Sequence, residues 1–249
     1  MAKQTSASAP TKAVHFILQG KGGVGKSFVS AVLAQYFRSI GVAAKCVDTD
    51  PVNKTFANYK ALEAQHVDLL DGSKINERNF DALMERLLTE DGVFVIDNGA
   101  STFVPLTNYL AENGAFHMLA EAGVKVYVHS VITGGQALID TLHGFTSMAQ
   151  LSETPNLVVW LNEFFGPIER DGKGFPEMRA YTDHAAKVRG IVTIVRRTQD
   201  TFGKDIEEMT SQKLTFDEAI AGSMFPIMAK QRIKTVQRDL FSQLDEIGF

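Results

Sequence analysis

The fold of this chain is decided by the stretch at residues 19–27, QGKGGVGKS. Gly20, four further residues, and then Gly25, Lys26 and Ser27 fill every position of the phosphate-loop pattern. An apolar run precedes the stretch and a helix-like segment follows it, as this pattern requires. Glycines let backbone N–H groups wrap around a phosphate, and the N-terminus of the helix adds partial positive charge. The stretch therefore predicts a nucleotide site between a buried strand and a helix.

Within this loop the pattern assigns separate tasks to the side chains. Lys26 is predicted to reach the β- and γ-phosphates, and the Ser27 hydroxyl to ligate Mg²⁺. A second lysine, Lys21, directly follows the first glycine, although a phosphate loop needs only one. We expect nucleotide contacts along the whole loop and into the helix, at Gly20, Lys21, Gly22, Gly23, Val24, Gly25, Lys26, Ser27 and Phe28.

Apolar runs alternate with helical stretches over the rest of the chain. Each run is continuous, which is typical of strands buried on both faces of a parallel sheet. The predicted strands are 14–18, 43–47, 92–97, 124–132, 157–162 and 190–195. The predicted helices are 27–40, 79–90, 135–151 and segments from about 201 onward. We therefore expect an α/β fold of the P-loop NTPase type, with a mainly parallel central sheet and helices on both faces.

Composition sets the limits of this interpretation. The chain has 249 residues, 45% of them hydrophobic and 22% charged, which predicts one domain at 13–249 behind a mobile arm at 1–12. The net charge of −4 offers no general attraction to nucleic acid, so DNA binding would need a local patch. Cys46 is the single cysteine, which excludes an intrachain disulfide and favours the cytoplasm. No apolar run reaches the roughly 18 residues of a membrane-spanning helix.

The segment 164–177, rich in Gly, Pro and charge, is predicted to be a long surface loop.

Three carboxylates follow predicted strands. Asp48 and Asp50 lie in CVDTDPVN, and Asp97 lies in VFVIDNGAS. In open parallel sheets ligands bind at the carboxyl ends of the strands, so all three can face the phosphate loop. An acid after four apolar residues is the usual form of the Walker B aspartate, which predicts that Asp97 holds Mg²⁺. The alternative for each is an aspartate that caps a turn.

The motifs KGGVGKS and DTDP together resemble the MinD/ParA family of ATPases, whose signature is a deviant Walker A motif. The resemblance covers residues from about 14 to 200 in the order of motifs. Further stretches, INERNFDAL, TGGQAL and WLNEFFGPIE, resemble conjugal transfer proteins of broad-host-range IncP-type plasmids nearly end to end. The resemblance implies a protein that serves plasmid conjugal transfer or positions DNA or a secretion apparatus, together with a protein partner. It is compatible with a peripheral location at the membrane or at the conjugation apparatus.

The family resemblance also implies roles for individual residues. In such proteins two ATP-bound subunits face each other, and the lysine matched by Lys21 reaches the partner's phosphates. The second aspartate of the D-x-D segment, Asp50, corresponds to the residue that positions the attacking water. The first, Asp48, corresponds to one near the Mg²⁺. Asn162, after a later strand, corresponds to an adenine contact. Lys21, Lys26 and Asp50 are thus the expected catalytic residues of a homodimer that forms on ATP binding.

Other functions share the phosphate loop and stay open. A metabolic ATP-dependent enzyme of the dethiobiotin-synthetase-like kind is one, and a pseudo-ATPase that only binds nucleotide is another, although the retained Asp50 argues against it. ATP is preferred to GTP because no Asn-Lys-x-Asp guanine motif is present, and the single Cys46 excludes an iron protein.

Two basic segments could serve other partners. Arg196, Arg197 and Lys204 could contact DNA phosphates, but a solvated loop is the favoured interpretation. The final helix could lie on a membrane, but docking on the sheet is favoured because acidic residues interrupt its basic face. The six histidines show no metal-ligand spacing.

Overall fold

The computed structural model describes residues 12–71, 74–76, 78–151 and 156–249, with backbone alone at 70, 71, 74 and 75. The predicted arm at 1–12 lies outside these residues except for Lys12, which begins the first strand. The division into an arm and one domain therefore stays a prediction.

The described residues form a central sheet of seven parallel strands in the order β11-β8-β7-β1-β6-β2-β3. Its strands are β1 (Lys12–Ile17), β2 (Ala44–Asp48), β3 (Gln65–His66), β6 (Gly92–Asp97), β7 (Lys125–Thr133), β8 (Asn156–Asn162) and β11 (Val188–Ile194). Two small antiparallel hairpins pair β4 (Leu70–Asp71) with β5 (Lys74–Ile75), and β9 (Glu169–Arg170) with β10 (Lys173–Gly174). The six predicted strands are confirmed within about two residues at each end. The short edge strand β3 had no apolar run to predict it.

Helices cover both faces of the sheet, which confirms the predicted fold class. They are α1 (Lys26–Ser39), α2 (Asn79–Thr89), α3 (Phe103–Glu112), α4 (Ala115–Glu121), α5 (Leu138–Gln150), α6 (Arg179–Thr182), α7 (Lys204–Ser211), α8 (Phe216–Ala221) and α9 (Ile227–Ile247). Buried side chains of α2–α5 pack in one hydrophobic core, and those of α1 and α7–α9 pack in the other. The pair α3 and α4 was not predicted.

The last helix is docked on the sheet, as favoured from the sequence. Ala229, Ile233, Leu240 and Leu244 of α9 are buried in the same core as α1. In the part of the chain that the structure describes, no helix combines the length and apolarity needed to cross a bilayer.

The segment predicted as a long surface loop, 164–177, is only partly loop. It contains the β9–β10 hairpin and ends in a short turn that buries Phe175 against Phe145 of α5, with the ring centroids 5.7 Å apart. Its content of glycine, proline and charge predicted a surface loop, but the burial of Phe175 depends on a helix distant in sequence.

Alternation along the strands places the candidate site on the α1 face. Val93 and Val95 of β6 point into the core that α1 shares, so Asp97 follows them onto the same face. Asp97 is in register with Ile17 at the end of β1 and with Asp48 at the end of β2. The carboxyl ends of three neighbouring strands therefore meet beneath the start of α1.

Candidate nucleotide site

The loop between β1 and α1 takes the shape that its glycines permit. Gly23 and Gly25 have φ values of 74° and 102°, a region that other residues rarely adopt. A Cβ on Gly23 would meet nothing within 4 Å, so this part of the loop faces open space. Gly25 is directly followed by Lys26, the first residue of α1, so the free N–H groups of the helix point toward that space.

Lys26 lies inside the loop. Its side chain is 8% exposed, and its Nζ donates a hydrogen bond to the carbonyl oxygen of Lys21 at 2.8 Å. Burial lowers the pKa of Lys26, and the nearby Asp97 and Asp50 oppose that shift. A buried ammonium with one neutral acceptor has unused hydrogen-bonding capacity, which a phosphate at the loop would satisfy.

Asp97 is held by two serines of α1. The Ser27 hydroxyl donates to its Oδ2 at 2.6 Å, and the Ser30 hydroxyl lies 2.8 Å from its Oδ1. Burial raises the pKa of Asp97 to about 7, Asp48 adds to the rise, and the serines and Lys26 oppose it. A carboxylate this costly to ionise is one that a divalent cation would stabilise.

Asp48 and Asp50 shape the turn that follows β2. The two oxygens of the buried Asp48 accept hydrogen bonds from the backbone N–H groups of Asp50 and Ala57, at 2.9 and 2.8 Å. Burial raises the pKa of Asp48, and these two bonds oppose the rise. Asp50 accepts from the N–H of Val52 at 2.9 Å and lies so close to Gly99 that a Cβ there would be 2.8 Å from its Cγ. In this structure both carboxylates therefore also act as turn residues, which was the alternative interpretation.

Lys26, Ser27 and Asp50 border one open cavity of about 730 Å³. Gly22, Gly23, Gly25, Lys26, Ser27 and Phe28 form one wall, and Asp50, Asn53 and Tyr59 form another. The cavity has the size of sites that hold drug-sized ligands. A glycine-lined wall, a buried ammonium and a Ser27–Asp97 pair are the donor set that a magnesium–nucleotide needs, so the residues fit that group. Among the described residues no three His, Cys, Asp or Glu side chains are placed to hold a metal ion, so nucleotide phosphates and water would supply the other oxygens around Mg²⁺.

Lys21 lies outside this cavity. Its Nζ forms an ion pair with Oδ2 of Asp140 in the first turn of α5, at 2.7 Å. Both side chains are about half exposed, at 43% and 54%. The pair lowers the pKa of Asp140 through its hydrogen bond and through charge. The two lysines of the loop therefore have different environments, one buried at the phosphate position and one on the surface.

Asn162 is a further predicted site residue, and it braces the loop. Its Nδ2 donates to the carbonyl oxygen of Val24 at 2.9 Å, and its Oδ1 accepts from the N–H of Phe164 at 3.2 Å. A Cβ on Gly25 would come within 2.8 Å of this amide. The predicted adenine contact of Asn162 is not tested by this arrangement and stays a prediction.

The sequence and fold of this chain match those of known nucleotide-binding proteins. Residues 15–224 match the model of the CobQ/CobB/MinD/ParA nucleotide binding domain. The chain belongs to this family. It is also 48% identical over 233 residues to the protein TraL of Escherichia coli, covering 93% of this chain and 97% of the relative. The resemblance to MinD/ParA proteins is thereby confirmed, and the similarity to TraL extends over nearly the whole chain.

Solved structures of the family share the fold. The cell division ATPase MinD of Pyrococcus furiosus superimposes with a TM-score of 0.56 at 14% identity, over 95% of this chain and 99% of that one. The septum site-determining protein MinD of Pyrococcus horikoshii, complexed with Mg-ADP, gives 0.54 at 14% identity, over 95% and 97% of the two chains.

The predicted basic spot near the end of β11 is largely neutralised in this family member. Arg197 pairs with Asp239, and Lys204 pairs with Asp200 at 3.2 Å. Two of the three proposed phosphate-binding cations thus have acidic partners, which favours the solvated-loop interpretation.

Some residues of the site were missed from the sequence. Ser30 lies one helical turn after Ser27, so the same-face spacing could have indicated that it also reaches Asp97. Asp140 gave no such signal, because its contact with Lys21 joins residues 119 positions apart. Glu207 and Thr210 of α7, and Lys213 just after it, also border the cavity and were likewise not predicted.

Proposed function

We propose that this chain is an ATP-binding and ATP-hydrolysing dimerisation switch, in which Lys21 acts on the nucleotide of the partner subunit. One observation carries the proposal: Lys21 is the loop lysine that does not border its own cavity. An exposed ion pair such as Lys21–Asp140 holds a side chain weakly, so Lys21 can leave Asp140 for a stronger partner. Three phosphates on a facing subunit would be such a partner.

The remaining residues divide the work within one subunit. The loop N–H groups and Lys26 bind the β- and γ-phosphates. Ser27 and Asp97 would hold Mg²⁺, which neutralises charge on the phosphate oxygens. Asp50 borders the cavity and can accept a hydrogen bond from an attacking water, orienting it toward the γ-phosphate. Asp48 supports this arrangement near the cation.

The similarity to TraL supports a place in plasmid conjugal transfer, with a protein of the conjugation or partition machinery as the activator. Slow turnover that rises with this partner is the expected behaviour of such a switch. The proposed location is the cytoplasm or the periphery of the conjugation apparatus at the membrane. DNA is a weaker candidate for the partner, because two of the three candidate cations are paired.

Two single variants test the switch before any mixing. Lys21→Ala should still bind ATP but neither dimerise nor turn over. Asp50→Ala should bind ATP, hydrolyse it poorly and accumulate as dimer, measured by size exclusion with light scattering.

Mixed dimers give the decisive test. A Lys21→Ala subunit keeps its own Asp50 and receives a lysine from its partner, whereas an Asp50→Ala subunit supplies Lys21 but cannot orient water. Mixing the two inactive variants should restore hydrolysis in one of two sites, to about half the wild-type rate per dimer. Heterodimers that form and remain inactive would show that Lys21 does not act across the interface.

The metabolic alternative predicts different behaviour. An enzyme of the dethiobiotin-synthetase-like kind should show little turnover until a small carboxylate or amine substrate is added, and no dependence on Lys21 from a second subunit. ATP turnover measured without any such substrate, in wild type and Lys21→Ala, separates the two.

A further inference from the structure

Gln19, the residue before the first loop glycine, is buried although its side chain is polar. It is 0% exposed. Its Nε2 donates to the carbonyl oxygen of Val131 in β7 at 2.9 Å and to that of Thr141 in α5 at 3.0 Å. Two carbonyl acceptors face this end of the amide, so it must be the NH₂ end. The side chain therefore joins the phosphate loop to a strand and to a helix more than 100 residues away.

The opposite end of the same amide rests against Gly144 in the middle of α5. A Cβ on Gly144 would lie 2.0 Å from Oε1 of Gln19. This oxygen is buried and has no hydrogen-bond partner. Glycine weakens the interior of a helix, so a glycine inside α5 needs a reason in packing. The close approach of Gln19 supplies that reason.

The Gln19 contact lies beside the contact that holds Lys21. Gln19 reaches Thr141, and Lys21, two residues later in the loop, reaches Asp140, the neighbour of Thr141. One contact is buried and neutral, and the other is exposed and ionic. Since an exposed ion pair cannot by itself fix a helix against a loop, the buried amide of Gln19 is the stronger of these two contacts for setting the spacing between α5 and the phosphate loop.

We propose that Gln19 is a positioning residue that fixes the first turn of α5 against the phosphate loop and thereby keeps Asp140 within reach of Lys21. Gly144 has no side chain and therefore leaves room in α5 for the Gln19 amide. The effect on turnover rests on the proposed function, but the placement of Lys21 does not, because it is a property of the single nucleotide-free subunit.

The test measures how readily the Lys21 amine is acetylated by a small anhydride, read by mass spectrometry. Lys204, which starts α7 and pairs with Asp200, serves as the internal reference. Asp140→Asn defines the fully released state, with reactivity roughly two- to fivefold above wild type, the range for loss of an exposed ion pair. Gln19→Met keeps the volume but removes both donors. Its Lys21 reactivity should lie more than halfway to the released state, with Lys204 unchanged.

Gly144→Ala provides a second route to the same state. The added Cβ should expel Gln19, lower the melting temperature and release Lys21. Combining it with Gln19→Ser removes the clash but does not restore the bonds to Val131 and Thr141. The double variant should therefore regain thermal stability while Lys21 stays reactive, a split that a purely structural role would not produce.

A positioning role and a purely structural role of Gln19 predict different results. If Gln19→Met melts earlier but leaves Lys21 at wild-type reactivity, Gln19 is a core residue and the positioning proposal is overturned. The same holds if the double variant restores both stability and protection of Lys21. In an active wild type, Gln19→Met should lower kcat and leave KM for ATP unchanged. A wild type without ATPase activity would overturn the proposed switch while the acetylation result still decides the role of Gln19.

Discussion

The carboxylates at the ends of β2 and β6 and the imidazoles within β1 and β7 lie equally deep on the face of the sheet that α1 covers. Asp48 and Asp97 form the carboxylate cluster with Lys26 and Ser27, and through these last two residues the cluster borders the cavity of about 730 Å³. His15 and His129 form the imidazole cluster with Trp160, and all three are 0% exposed. Both clusters contain titratable groups with strongly shifted pKa values, yet only one borders space for a ligand.

The imidazole cluster is closed by its own hydrogen bonds and by aromatic rings. The Nε1 of Trp160 donates to Nδ1 of His129 at 2.9 Å, so the proton of neutral His129 lies on Nε2, which faces Nδ1 of His15 at 2.9 Å. Tyr127 stacks on His15 at 4.7 Å, and Phe249 covers its edge at 4.9 Å. Burial lowers the pKa of His129 to about 3, and burial followed by the charge of His129 lowers that of His15.

Burial and a shifted pKa therefore do not by themselves mark a functional site. Removal from water shifts the pKa values of titratable groups in both clusters. The carboxylate cluster also has a side open to the cavity, a neighbouring glycine backbone and a cation with unused hydrogen-bond donors. The imidazole cluster is a structural element of the core, in keeping with histidines that show no metal-ligand spacing in the sequence. The two clusters should therefore respond differently to substitution and to pH.

The largest expected effect is the loss of nucleotide binding in Lys26→Ala. Removing charge-assisted bonds to the β- and γ-phosphates should weaken Mg-ATP binding by about a thousandfold, or about 4 kcal/mol. The melting temperature should not fall, because a buried cation is removed with its desolvation cost. Calorimetric titration measures the affinity. Wild-type affinity in this variant would contradict the site assignment.

A smaller effect of the opposite kind is expected for His129→Leu. Leucine fills a similar volume but leaves Nε1 of Trp160 without its acceptor and Nδ1 of His15 without its donor. The free energy of unfolding should fall by about 2–3 kcal/mol, while Mg-ATP affinity stays at the wild-type value. Urea unfolding and the same calorimetric titration measure both. A matching loss of affinity in a folded variant would mean that the two clusters are coupled.

The smallest expected effect is on how the free energy of unfolding depends on pH. The sign of this dependence differs between the two clusters. Below pH 6.5 an unfolded chain protonates His129 but the native protein, with its pKa of about 3, does not, so His129 costs stability as pH falls. Asp97 has a native pKa of about 7 against 3.8 unfolded, so the native protein holds the extra proton and gains stability as pH falls from 7 toward 4.

Unfolding of metal-free, nucleotide-free protein between pH 7 and pH 5 measures both slopes. Relative to His129→Leu, wild type should lose stability on acidification, approaching about 1.4 kcal/mol per pH unit. Relative to Asp97→Asn, wild type should gain stability over the same interval. Slopes of the same sign would contradict the opposite protonation assigned to the two clusters.

The sequence alone determined the parts of this protein that depend on local pattern. Six strands and the helices after β1 and before β6 followed from continuous apolar runs and helical spacing, because each is encoded in adjacent residues. The loop at 19–27 and the acid at the end of β6 followed from motif and strand position, because parallel strands bring their carboxyl ends together. The structure confirmed the fold expected from these patterns, and the match to the family model confirmed the family.

Only the tertiary structure decided which groups meet across long separations. It paired Lys21 with Asp140, placed Asn162 beneath Val24, joined Gln19 to α5, and buried His15 against His129. It also brought the backbone N–H of Ala57, nine residues along the chain, to Asp48, a contact that no motif indicates. Such contacts depend on strand order and on how the helices pack on the sheet. Local sequence sets the residues available at each strand end, and packing of the whole chain sets which of them come within hydrogen-bonding distance.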